Sequence, residues 1–176
     1  VILTGQSTKE IYAKGHFSIP SDTACYPAKL MHGHVQTLLD MGVDAIFYPC
    51  LTYNMDEKCG VNHYNCPVVA YYSELLAGNT EELSKIKFLY PYLNINDEKQ
   101  LAIELYEYLS KYFDGIKKSE VKAAVAAGLA AYREWMRDIY KAGSAALESA
   151  RERGVPVMVL AGRPYHTDSE IGHGID

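Results

Sequence analysis

Cysteine is missing from the first 24 residues and from everything beyond Cys66; the four in the chain, Cys25, Cys50, Cys59 and Cys66, fall in one stretch. Gaps of 24, 8 and 6 residues separate them, so neither the C-x-x-C of a thioredoxin-like redox site nor the paired spacing of structural zinc is present. No apolar run approaches the roughly 20 residues of a membrane span, and no basic-then-apolar leader with a cleavage site is found. These absences argue against a membrane partner and fit a cytoplasmic chain. Blocks of Lys and Arg are lacking too, and with a net charge of −5 nothing tracks a phosphate backbone, which argues against nucleic acid. There is no internal repeat and no low-complexity linker. The chain also lacks a starting Met, opening at Val1-Ile2-Leu3 and closing in GRPYHTDSEIGHGID, as expected of a piece of a longer polypeptide.

What is present is enough for a core: 176 residues, 48% of them apolar, suit one domain or part of two. Ile2-Leu3 reads as the start of a strand, and Ser7 as the cap of a short helix over Thr8 to Lys14 that ends at Gly15. Pro27 suits a first helical turn, with Tyr26 before it held out of helical dihedrals. Leu30, His34 and Leu38, beside Met31, Val35 and Leu39, then give a broad apolar face that stops at Gly42. Val43 to Tyr48 reads as a buried strand. Pro67 opens either a strand or a helix with Val68, Tyr72, Leu75 and Leu76 on one face, and the helix is preferred because it brings the cysteines to one edge. Ile86 to Leu89 is predicted as a strand and Glu98 to Phe113 as a helix. A long Ala-rich helix is predicted from Ser119, as cap, to Arg153, with Gly128 and Gly143 as possible interruptions; Val155 to Ala161 is predicted as a strand.

Alternating strands and helices predict an α/β fold: an open, mostly parallel sheet flanked by helices, a Rossmann- or flavodoxin-like lobe, plus the long helix. The expected division is an α/β lobe over residues 1–115, a helical segment over 116–154, and a strand and loop over 155–176 that complete the sheet or open a second lobe.

Three cysteines stand beside a regular element. Cys25 and Cys66 precede the two proline-started helices and Cys50 ends a strand, the edge where open α/β sheets bind ligands. A helix amino end favours anionic sulfur. Metal, redox and plain apolar packing all stay open for these residues, since free cysteine is commonly buried. An iron–sulfur cluster tolerates the wide spacing when a fold gathers its ligands.

The stretches SDTACYPAKLMHGHVQTLLDMGVDAIFYPC, YNCPVVAYYSELL and LAGRPYHTDSEIGHGID resemble the 2-hydroxyacyl-CoA dehydratase superfamily. More closely, they are similar to the dehydratase-like region of CoA-substrate-specific enzyme activases, the activators of 2-hydroxyglutaryl-CoA dehydratase. In the dehydratase subunits, cysteines from separate α/β lobes hold a [4Fe-4S] cluster, and an ATP-driven activator injects one electron. The resemblance therefore implies cluster ligation by Cys25, Cys50 and Cys66, with Cys59, which matches no motif, secondary. A fourth position would fall to Cys59, water, a substrate oxygen or a cysteine from a second subunit of a homodimer. It implies acyl-CoA as ligand, and an ATPase activator domain and dehydratase subunits as partners. The activator's glycine-rich phosphate loops are lacking, so no ATPase site is assigned to this segment, and the dehydratases' substrate-binding residues find no individual match.

Other residues carry two readings each. Arg163, Tyr165 and His166 follow a predicted strand, where an arginine fork suits a phosphate or carboxylate of a CoA ester; the plain reading is an arginine on loop carbonyls. Lys29, one turn after Cys25, either offsets charge or is solvated. His32 and His34 point to different sides of a helix, one to the core and one to a loop. His63 is a possible donor to sulfur or a solvated loop residue, and Glu74 and Asp168 are acid–base candidates or solvated carboxylates. The functional expectation is an iron–sulfur module acting in one-electron reductive activation, as a lyase-type component or its activating part; the alternative is a non-catalytic scaffold that docks the ATPase activator and the dehydratase. A zinc-dependent hydrolase is the third reading.

Overall fold

The computed structural model describes residues 1–175. Helices dominate, at 56% of the chain, around a two-stranded parallel sheet. Two compact units form: Val1–Asn96 with Gly162–Asp176, and Asp97–Ala161.

The first unit opens with α1 (Lys9–Gly15), whose cap is Thr8, its hydroxyl accepting from Ile11 N at 3.2 Å. Ser7, the expected cap, instead meets His34 Nε2. Helix α2 (Tyr26–Asp40) crosses α1 where Gly15 and Gly33 face each other. A Cβ at Gly33 would overlap the Ile11 carbonyl, and one at Gly15 would overlap the backbone of His32 and Gly33, so only glycines allow this approach. Strand β1 (Ala45–Phe47) pairs in parallel with β2 (Lys87–Leu89), Ile46 opposite Phe88. Helix α3 (Pro67–Asn79) follows β1 after a loop pinched by the Tyr53–Tyr64 bridge. Ala28, Val35, Ile46, Tyr72, Leu76, Leu83 and Phe88 form the core between α2, α3 and the sheet. Burial of these side chains is the main term favouring the unit, about 1.5–3 kcal/mol for each large one.

The sheet is smaller than expected. Ile2-Leu3 and Val155 to Ala161 form no strand among the described residues, and their apolar side chains are exposed. With no neighbouring strand to pair their backbone groups, β-branched composition alone does not make a strand. Two strands are too few to define a flavodoxin-like order; the parallel pairing and the mixed α/β character are what the fold shows. Pro67 opens a helix, as preferred.

The second unit is a helical hairpin. Helix α4 (Glu98–Leu109) is capped by Asp97, which accepts from Lys99 N and Gln100 N. It stops short of Phe113. Helix α5 (Lys118–Glu152) starts after Lys117 rather than at a Ser119 cap and runs through both glycines. Val121, Val125 and Leu129 bury against α4. The chain closes, in the first unit, with a 3-10 turn (Pro164–Thr167) and the short α6 (Ser169–Gly172). Among the described residues no helix is long and apolar enough to cross a membrane.

Candidate functional site

Three elements end at one edge of the first unit. Cys25 is the N-cap of α2 and Cys66 the N-cap of α3; both are followed by proline in the first turn, and neither side chain makes a cap hydrogen bond. Cys50 lies just beyond β1, paired with Tyr92 as an extension of the parallel ladder, and Leu51 N donates to Val69 O in the first turn of α3. That bond holds the loop after β1 against the start of α3.

Burial distinguishes the sulfurs. Cys50 is fully buried, its Sγ 2.9 Å from Ser73 Oγ; Cys66 is half-buried; Cys25 and Cys59 are exposed. Cys59 Sγ donates to Glu57 O in the loop.

Three tyrosines stand within electrostatic reach of these cysteines. Tyr48 is driven well above the usual phenol range, first by burial and then by the nearby Cys50, Tyr72 and Cys66. Tyr72, raised by burial, is also within electrostatic reach of Cys25. Tyr92 is pushed up to about 12 by desolvation of its hydroxyl, with Cys50 and Glu74 adding to it. Each of the three cysteines thus acts on at least one phenol whose pKa lies above the usual range.

Behind Tyr72 runs a buried polar chain. Ser18 Oγ donates to Gly15 O at 3.0 Å, so its oxygen is left to accept from His32 Nδ1 at 2.8 Å. That fixes the tautomer: His32 Nε2 is unprotonated and accepts from the Tyr72 hydroxyl at 3.0 Å. Burial also lowers the pKa of His32, which favours this neutral form. Tyr72 therefore directs its proton to His32 and has only oxygen lone pairs for the Cys25 side.

His34 takes a different set, with Thr4 Oγ1 at 2.7 Å from Nδ1 and Ser7 Oγ at 3.2 Å from Nε2. Lys29 donates from Nζ to Asp22 O at 2.8 Å. Asp168 caps α6, its Oδ1 accepting from Glu170 N and Ile171 N. Glu74 meets Tyr92. Arg163 lines a polar recess of about 270 Å³ with Asn54, Cys59, Asn62, His63 and Asn65. His166 folds back so that Nδ1 accepts from Arg163 N at 2.9 Å, and Tyr165 packs on the His166 ring. Tyr26 joins this tail to α2, its hydroxyl donating to Glu170 Oε1 at 2.7 Å.

The donor chemistry suits a thiolate-held group: three sulfurs at one edge, two without a competing cap bond. They do not yet converge on one point, for no three His, Cys, Asp or Glu side chains form a metal-holding group among the described residues. The sequence placed Tyr48 in a strand, Tyr72 on a helix face and one of His32 and His34 in the core, but named none of these, nor Ser73 or Tyr92, as neighbours of the cysteines. Spacing carried a trace of them: His32 is seven residues after Cys25 and Ser73 seven after Cys66, two helical turns along the same faces.

A family described as "CoA enzyme activase uncharacterised domain (DUF2229)" matches residues 1–176. The chain belongs to this family. Membership extends to every element above, including the cysteine edge and both units of this CoA enzyme activase domain. No curated protein and no solved structure matches the chain.

Proposed function

We propose that this activase domain is a dehydratase-like module serving 2-hydroxyacyl-CoA dehydratases in one-electron reductive activation, and that Cys25, Cys50 and Cys66 hold a [4Fe-4S] cluster, with Cys59 secondary. The observation that carries the reading is the arrival of both helix N-caps and the end of β1 at one edge, around Tyr48 and Tyr72. The cluster, when bound, supplies low-potential one-electron chemistry. The chain's own residues do the rest. Tyr48 and Tyr72 keep their protons near the sulfurs, His32 fixes the direction of the Tyr72 hydroxyl, and Arg163 offers a cation to an anionic group of an acyl-CoA in its polar recess. The partners in this reading are an ATPase activator domain and dehydratase subunits, in the cytoplasm of an anaerobic cell.

The test is iron and sulfide content with an absorption spectrum on protein purified without oxygen. Iron and sulfide in near-equal amounts are expected, lost on Cys25→Ala, Cys50→Ala and Cys66→Ala but kept on Cys59→Ala, with far-UV circular dichroism confirming that each variant folds. Reproducible absence of iron after reconstitution overturns the cluster. One observation favours a second reading, a scaffold with reduced structural cysteines: Cys50 is fully buried and already bonded to Ser73. In that case capture of the ATPase domain survives replacement of all four cysteines.

A further inference from the structure

Leu101 is the buried residue of α4. Beside it, Lys99, Ala102, Ile103 and Tyr106 form a stripe along the helix at spacings of three and four. Lys118 and Lys122, one turn apart at the start of α5, join them in lining a cavity of about 350 Å³ that lies wholly within the second unit. That volume is at the lower end of what small-ligand sites use. Ala102 and Tyr106 are half-buried and Ile103 is 50% exposed, so the cavity has an apolar floor that α5 leaves uncovered.

The charge around this floor is unbalanced. Of the two carboxylates at the cavity, Glu98 is paired with Arg133 at 3.6 Å. Glu107 is left against three lysines, Lys99, Lys118 and Lys122, none of which makes an ion pair among the described residues. Lys118 Nζ stands 5.1 Å from the centre of the Tyr106 ring, a cation–π contact that keeps this charge at the wall. Positive charge is therefore in excess here, in a chain whose net charge is −5. We propose that the cavity binds a free amphipathic anion: one carboxylate held by Lys118 and Lys122, on an unbranched apolar body laid over Ala102, Ile103 and Tyr106. A compact anion would leave the floor wet, and a neutral apolar molecule would leave the lysines unmatched; an amphiphile uses both. Lysine fits this task, since its long stem covers apolar surface while its ammonium stays at the rim. At roughly 30 Å³ for each water-sized atom, the volume holds about a dozen non-hydrogen atoms, the size of a ten-carbon acid. The site shares no residue with the Arg163 recess and rests on no reading of the cysteines.

The test is methyl NMR of the intact chain titrated with sodium decanoate below its micelle-forming concentration. The methyls of Ala102 and Ile103 should shift to saturation, while those of Ile46 and Leu76, in the core of the first unit, stay in place. Octanoate, two methylenes shorter, should bind about tenfold more weakly. Decyltrimethylammonium, with the same body and the opposite charge, should bind more weakly still. Lys118→Gln combined with Lys122→Gln should weaken decanoate by about fivefold, as exposed cations allow, and leave decanol unaffected. Ala102→Trp, which fills the cavity, should abolish the Ile103 shift, with far-UV circular dichroism reporting helix content; the lysine pair decides if that variant loses helix. The proposal is overturned by decanoate that never saturates a shift at Ile103, by equal binding of decanoate and decyltrimethylammonium, or by decanoate binding that survives Ala102→Trp at full helix content.

Discussion

Helices α2 and α5 each carry an interior glycine, and the two do opposite things. Gly33 sits where α2 touches α1 backbone to backbone, beside the buried His32 that the site depends on. Gly128 lies in α5 with nothing within 4 Å of where a Cβ would stand. The same residue type is indispensable in one helix and a weakness in the other, because one unit closes on itself at backbone distance and the other is a long helix only part-covered.

The sharpest test of that contrast is Gly33→Ala. Its Cβ would overlap the Ile11 carbonyl, which belongs to backbone and cannot rotate away. Helix α1 must then lift off α2, with an expected loss on the order of 4 kcal/mol, read as a lowered urea midpoint. Next comes Leu76→Ala, at a side chain with no exposure in the core of the first unit. A cost of about 3 kcal/mol is expected. Leu147→Ala in α5, half exposed, should cost less than about 0.5 kcal/mol in the same measurement at low protein concentration.

The sequence made some of this legible and hid the rest, for physical reasons. Pro27 announced its helix because proline suits a first helical turn, although the helix takes in Tyr26 as well; Pro67 allowed a strand or a helix, and only the wish to gather the cysteines at one edge favoured the helix that forms. The strand at Ala45–Phe47 and its partner Lys87–Leu89 were visible as short apolar runs. Val155 to Ala161 showed the same signature and formed no strand, since a strand needs a neighbour and composition carries no information about one. In the site, the cysteines were visible as a cluster of rare residues. Tyr48, Tyr72 and Tyr92 were hidden among fifteen tyrosines, and only the fold separates those three from the others. Arg163 was chosen for its place after a predicted strand; that strand did not form, yet the tail returns Arg163 to a recess in the first unit.

The polar chain behind Tyr72 gives a third, intermediate effect with a definite pH dependence. Burial depresses His32 below its usual value, and burial likewise depresses His34, with Asp168 acting against it. In the unfolded chain both titrate near 6.5. Below that pH the unfolded state binds more protons than the folded one, so stability is present above about 6.5 and is lost as pH falls toward the lower folded values. Denaturation at pH 7.5 and pH 5.5 should therefore show a less stable protein at the lower pH, and His32→Gln should flatten part of that slope. At pH 7.5, Tyr72→Phe leaves His32 Nε2 buried without its donor, at an expected cost of about 2 kcal/mol. A slope unchanged by His32→Gln would show that His32 binds its proton equally well in both states.

The smallest effect has the opposite sign and returns to the second glycine. Gly128→Ala adds a methyl where the structure has open space and removes backbone freedom from the unfolded chain, so it should stabilise α5 by about 0.5–1 kcal/mol. A gain in urea midpoint is thus the expected result. Any loss of stability would mean that another surface approaches α5 at Gly128, and the contrast with Gly33 would then be one of degree rather than of kind.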